Sequence, residues 1–365
     1  MGSATDEVTN ADYALAAAHE ENRRFRRLVF GCAALTVLTT IAIFAVLLDN
    51  ATSYFLSSRL STLLLEIIRE GSLAPITDAT QLITLTEFFT GTRWAPDHAI
   101  PAHGVLPIVW GTLAITLGAA AISIPIGTAT ALYLSEYASH KTRDRLKPSL
   151  ELLAGIPTIV YGYFAISFIT PVLVDGFVAS AVESVGQGFG RIAFIAPALL
   201  EPLATALTDV SVGRYSMLSG IIVVGIMTIP MVSSISEDAM HAVPDELRDG
   251  AYALGATKYD VSTNIVLPAA ISGIMASYIL AISRAIGETM AVTLAAGFNA
   301  TLTANPFDEI MTMTAYMVSM ARGTSAVGTV EYQSLFAVGL VLFLMTLSLN
   351  LLTDRLKRRF QEEYR

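Results

Sequence analysis

The sequence predicts an all-α, polytopic membrane protein with six transmembrane helices. Of its 365 residues, 53% are hydrophobic and only 15% charged, a balance far from that of a water-exposed globular chain. Six apolar stretches reach the length of about 20 residues that a helix needs to cross a hydrocarbon layer about 30 Å thick. None alternates in polarity as barrel strands do, and backbone groups in lipid must be satisfied within the segment, which leaves helices as the spanning element.

Residues 1–27 form a polar tail that ends in Arg23, Arg24, Arg26 and Arg27, a basic helix suited to an anionic lipid surface. The first span covers 28–48. It is long, follows a polar tail and lacks a small-residue cleavage site, so it reads as an anchor and not as a secretory signal. Cys32 lies inside it without a partner and reads as a small apolar filler. An external subdomain follows at 49–105, with an amphipathic helix pattern over 56–69 closed by Gly71.

The remaining spans fall at 106–134, 150–173, 217–235, 269–296 and 334–352. A second external insertion occupies about 174–216, a polar loop about 237–268, and a short tail 354–365. Pro125, Pro157 and Pro230 lie inside apolar runs, where each removes a backbone bond and either bends its helix or serves ordinary packing. Besides the N-terminal arginines, Lys141, Arg143, Arg145, Lys147, Arg248, Lys258, Arg355, Lys357, Arg358, Arg359 and Arg365 gather on one side, which predicts a multi-pass cell-membrane protein with both termini cytoplasmic. The opposite side carries more acids than bases, within a net charge of −9, and so repels free anions.

The polar loop has its own logic. Pro244 fits the start of a helix, Asp245, Glu246 and Asp249 favour its positive end, and Gly255 can take the left-handed conformation that stops it. Gly250, Ala251 and Ala253 offer a small-residue surface for close approach, and Thr257 with Asp260 forms a capping box for a second helix that leads to Pro268. Two readings stand: a plain helical hairpin between spans, or a plug that seats in a partner's socket.

Arg284 and Glu288 place opposite charges four residues apart inside the fifth span, and a charge there costs about 2.5–3.5 kcal/mol on insertion scales. Either they form a self-satisfied ion pair, or Arg284 lines the route of an oxyanion and Glu288 holds its guanidinium when the route is empty. Gly287 between them lets a helix or substrate come close.

The order Asp249, Ala251, Gly255, Ile265, Leu267, Pro268 resembles the EAA loop of ABC importer permeases, with Asp249 and Gly250 standing where that motif has Glu and Ala. Three runs, Arg284-Ala-Ile-Gly-Glu-Thr-Met-Ala-Val-Thr293, Tyr133-Leu-Ser-Glu-Tyr137 and Leu150-Glu-Leu-Leu-Ala-Gly-Ile-Pro-Thr-Ile-Val-Tyr-Gly162, resemble the PstC-type permease subunits of phosphate ABC importers. The likeness spans about 106–352. It implies a type I importer permease core, MetI-like, over 106–353, with a route for phosphate past Arg284, Gly287 and Glu288. It also implies a cytoplasmic coupling loop at about 237–268 that acts through Asp249, Gly250, Ala251, Gly255, Ile265, Leu267 and Pro268.

The partners implied by the likeness are a homologous PstA-type permease, two copies of a PstB-type ATPase, an external phosphate-binding protein and membrane lipid, with no nucleic acid. ATP and Mg would be bound by the ATPase, and this chain itself would carry no cofactor and no catalytic residue. The sequence agrees, because it has no Gly-x-x-x-x-Gly-Lys-Ser/Thr loop, no Gly-x-Ser-x-Gly elbow and no His-Glu-x-x-His pattern among its scattered histidines. One arginine does not distinguish phosphate from molybdate, tungstate or phosphonate, and a secondary anion transporter, independent of ATP, is the further alternative.

Overall fold

The computed structural model describes residues 25–55, 83–96, 101–192, 205, 212–323 and 329–362. The N-terminal tail to residue 24, the amphipathic stretch at 56–69 and the 197–202 part of the second insertion lie outside them. Helix α1 (Phe25–Phe55) leads to a short α2 (Leu85–Thr90) and a two-stranded antiparallel hairpin, β1 (Trp94–Ala95) and β2 (Ala102–His103). Then come α3 (Leu106–Tyr137), α4 (His140–Ala154), α5 (Thr158–Arg191), α6 (Met217–His241), α7 (Asp245–Ala253), α8 (Lys258–Ala269), α9 (Ile271–Ile286), α10 (Met290–Ala296), α11 (Met313–Arg322) and α12 (Val330–Glu362). Five of these helices are long and apolar enough to cross a membrane, or up to six if α8 and α9, bent by 69°, count as one broken span.

Two spans depart markedly from their sequence boundaries. The third starts at Thr158, because α4 stops at Gly155 and Pro157 caps the start of α5; proline disfavours helical conformation in the residue before it. Pro157 therefore begins a helix where the sequence suggested a bend. The same helix runs on to Arg191, so the first part of the second external insertion continues the span. The fifth, expected as one helix over 269–296, breaks at Gly287 into α9 and α10. Hydropathy averaged over a span does not register such a break, because the apolar residues on either side outweigh Gly287, Glu288 and Thr289.

The molecule is organised around α3 and α6, which lie close along their length. A Cβ at Gly118 would meet Ile221 at 2.6 Å, and one at Gly127 would meet Val232 at 2.7 Å, so glycine sets how near the two backbones come. Ile115, Ala119, Val223 and Val224 form the central core with Ile169 of α5 and Val292 of α10. At one end Tyr54, Phe88, Trp94, Ile108, Met313 and Tyr316 make a second cluster beneath the hairpin, with Trp94 edge-on to Tyr316 at 5.0 Å between ring centres. Tyr54 Oη lies 2.7 Å from His103 Nδ1, which ties the end of α1 to the hairpin. The apolar stretch of α1 itself is not buried against the rest of the chain. At the opposite end a third cluster seats the α6–α9 loop: Met240, Val243, Ala251, Val261, Val266 and Ile274.

Candidate functional site

The first candidate place is the loop between α6 and α9. Pro244 supplies the extended entry to α7, and Asp245 and Glu246 occupy its first turn, where the helix dipole favours them. Gly255 sits at φ 87°; its N–H donates to the Tyr252 carbonyl at 2.9 Å and the Ala256 N–H to the Ala251 carbonyl at 3.1 Å, the double closure of a Schellman turn. At α8, the side chains of Thr257 and Asp260 each accept the other's backbone N–H.

Helix α7 has two faces. Leu247, Gly250 and Leu254 share an exposed face, and Leu254 is 92% exposed. Arg248 is half-buried, and Ala251, one turn on from Leu247, is only 8% exposed. Ala251 therefore seats the helix instead of joining the outer small-residue surface expected for it, because it belongs to the cluster of Met240, Val243 and Val261. Ile265 and Leu267 also pack on the third cluster, and Pro268 is half-buried. Of the residues marked by the sequence, Asp249, Gly250 and Gly255 are on the outside. The large apolar side chains beside them, Leu247, Tyr252 and Leu254, were signalled only by their spacing.

Sequence reasoning missed the charges beneath this loop. Arg248 Nη2 donates to Glu136 Oε1 at 3.2 Å and to the Met240 carbonyl at 2.8 Å, while Nη1 reaches Asp245 Oδ1 at 3.1 Å and the Val243 carbonyl. Nearby, Glu237 is fully buried; Lys147 Nζ donates to its Oε2 at 2.6 Å, and Arg143 Nη2 stands 2.5 Å from its Oε1 as an ion pair out of line for a hydrogen bond. Lys147 also binds Asp238, and Arg143 Nη1 lies 3.2 Å from His241 Nε2. Desolvation alone would lower the Lys147 ammonium, but its bonds to Asp238 and Glu237 prevail and raise its pKa. The available signal was the run Ser236-Glu237-Asp238: continuing α6 through it puts one carboxylate on the packed face.

The second place is the end of α9. Because the helix stops at Ile286, Glu288 does not stand one turn above Arg284, and no ion pair joins them among the described residues. Instead Glu288, 7% exposed, turns back to cap α10: its Oε1 accepts the Ala291 N–H at 3.1 Å, and its backbone carbonyl accepts Thr314 Oγ1 at 2.7 Å. The expected i,i+4 pairing is thus corrected, for a carboxylate beyond a helix break is better used on the free amides of the next helix. Gly287 has no close neighbour, since a Cβ there would come no nearer than 3.8 Å to its own turn's carbonyls.

The guanidinium of Arg284 makes neither hydrogen bond nor ion pair among the described residues. It lines a cavity of about 270 Å³ with Glu151 and Ala154 of α4 and Pro230, Met231 and Ser234 of α6. A carboxylate and a guanidinium, with Ser234 beside them in an otherwise apolar lining, make this a place where a small anion could be held or repelled. Glu151 was not singled out by the sequence, though it lies in the run Leu150-Glu-Leu-Leu.

Residues 123–362 match the family model described as the binding-protein-dependent transport system inner membrane component. The chain is 34% identical over 273 residues to a probable ABC transporter permease protein, YqgH, of Bacillus subtilis, covering 75% of this chain and 78% of that protein. It is 31% identical to the phosphate transport system permease protein PstC of Xylella fastidiosa, over 74% of this chain and 80% of that one. The corresponding PstC of Mesorhizobium japonicum is 31% identical over 71% and 74%. Among solved structures, a methionine ABC transporter in an inward-facing conformation aligns at 15% identity with a TM-score of 0.49, covering 70% of this chain and 95% of that chain.

Proposed function

This chain belongs to the family of inner membrane components of binding-protein-dependent transport systems, and on that premise we propose that it is the permease subunit through which an ATP-driven ABC importer moves inorganic phosphate into the cell. The relatives named as phosphate permeases support the choice of anion. The observation that carries the reading is Arg284, a guanidinium left without a partner in this chain at the edge of a cavity between α4, α6 and α9. Arg284 is exposed in this chain; a charge within an apolar span needs a partner, water or a task, and an oxyanion meets its planar fork of donors.

The rest of the assembly follows from this role. A homologous PstA-type permease completes the route, an external phosphate-binding protein delivers the anion to the acid-rich side, and two PstB-type ATPases bind ATP and Mg. This chain performs no hydrolysis. The exposed face of α7, with Leu247, Gly250 and Leu254, is the knob that enters an ATPase groove. Both termini lie in the cytoplasm, on the side of the arginine and lysine clusters.

The test is uptake of radiolabelled phosphate by the complete transporter in liposomes, with ATP inside. ATP-dependent uptake that competes with arsenate but not with molybdate supports phosphate. Accumulation of molybdate or phosphonate instead would reassign the anion, and flux that survives ATP depletion would make the protein a secondary transporter.

A further inference from the structure

We propose that Arg248 is the positioning residue of the coupling step: it latches α7 to the ends of α3 and α6, so that a displacement of α7 is passed to the helices around the route. The inference rests on the coupling reading of the loop given above and assigns a role to a residue outside the set that the motif marks.

Arg248 lies about 100° round α7 from the exposed Leu247, and its side chain is largely buried. Its donors reach three separate elements. Glu136 belongs to the last, π-type turn of α3, and the Met240 carbonyl to the last turn of α6. The Val243 carbonyl lies in the link between α6 and α7. Only Asp245 is on its own helix, and that carboxylate is exposed. The Glu136 carboxylate is almost wholly buried, and the Arg248 side chain is largely so; in such surroundings a fork of charge-assisted bonds is strong and directional.

The receiving helices are also the right ones. α3 and α6 lie against each other at Gly118 and Gly127, and α6 supplies Pro230, Met231 and Ser234 to the Arg284 cavity. A push on the exposed face of α7 thus has a short, polar path into both helices. The apolar contact of Ala251 holds α7 down, but a small side chain on an apolar cluster resists sliding little. The fork fixes register, because it fits its acceptors in one placement only.

The experiment uses the complete transporter in liposomes and measures anion uptake and ATP hydrolysis together. With Arg248→Ala, the subunits are expected to copurify and hydrolysis to continue, while anion moved per ATP falls by about ten-fold, within the range of coupling between sites. Arg248→Lys is expected to resemble Arg248→Ala, since one ammonium does not span the acceptors. Glu136→Gln is expected to show a smaller loss, because the bonds to Met240 and Val243 persist. An unchanged ratio in Arg248→Ala overturns the proposal. So does a proportional fall of uptake and hydrolysis with loss of subunits, which marks a folding role only. The ratio is read with whichever oxyanion the wild-type transporter carries, so it is independent of the choice of phosphate. If a bulky residue at Gly255 uncouples while Arg248→Ala does not, the loop reading stands and the latch falls.

Discussion

Glu237 and Lys147 stand ninety positions apart in sequence, and Lys147 Nζ donates to Glu237 Oε2 at 2.6 Å with the carboxylate wholly buried. With Arg143 on the other oxygen, this pair rivets α4 to α6. Removing the carboxylate as Glu237→Ala leaves Arg143 without its buried counter-ion and Lys147 with Asp238 alone, and is expected to cost about 2 kcal/mol, discounted because both cations keep some solvent. Thermal unfolding of the detergent-solubilised complex reads this directly, and an unchanged midpoint would show that the pair contributes nothing.

Arg284 and Glu288 are expected to separate in their effects. Arg284→Ala abolishes phosphate uptake without dissociating the complex, because the side chain bonds nothing that holds the fold. Glu288→Ala removes the cap of α10 and lowers stability by about 1 kcal/mol. Uptake and thermal midpoint measured on both variants check the split; normal uptake by Arg284→Ala removes that residue from the route.

Gly255 at φ 87° has open space around the position of a Cβ. A bulky β-branched residue is therefore opposed by the backbone alone, at about 1–2 kcal/mol, and Gly255→Val is expected to unwind the Schellman turn and uncouple ATP hydrolysis from uptake. Unchanged coupling there would count against the loop as the seat of force transfer.

Leu254 projects from α7 almost fully exposed. Leu254→Asp is expected to leave the permease folded and to reduce recovery of the ATPase with the tagged chain by about ten-fold, the loss of a buried apolar contact at an interface. Full recovery would place the ATPase elsewhere.

His103 is held below its ordinary pKa of 6.5, first by burial, with Glu87 and Glu331 pulling the other way. The folded state thus prefers the neutral ring. Its contribution to stability is present above pH 6.5 and is lost as the pH falls through the depressed value. The hairpin is expected to become protease-sensitive in mild acid, an effect absent from His103→Gln; equal acid sensitivity in both would clear His103.

Much of this architecture was legible in the sequence, for reasons that differ by element. Length and hydropathy mark α1, α3, α6 and α12, since lipid demands a long apolar helix and little else. The caps of α7 and α8 were also legible, because Gly255, Thr257 and Asp260 act on backbone groups within a few residues. The break at Gly287 was not, and with it went the role of Glu288: spacing along a helix predicts contact only while the helix lasts. The bonds of Arg248 to Glu136 and of Lys147 to Glu237 join charges about a hundred residues apart, and no local pattern announces such a meeting. For Ala251, the small size was visible but the face it occupies was set by packing.

The uncovered stretch of α1 has a practical consequence. From Phe25 to Ile43 it is exposed among the described residues, so there its composition is answerable to hydrocarbon thickness, whereas Phe44 meets Phe343 at 5.3 Å between ring centres and shape counts as well. Any apolar helix of equal length is interchangeable with it up to the turn that carries Phe44. A fluorophore attached at Cys32 would then sense lipid order around the transporter while leaving the moving parts undisturbed.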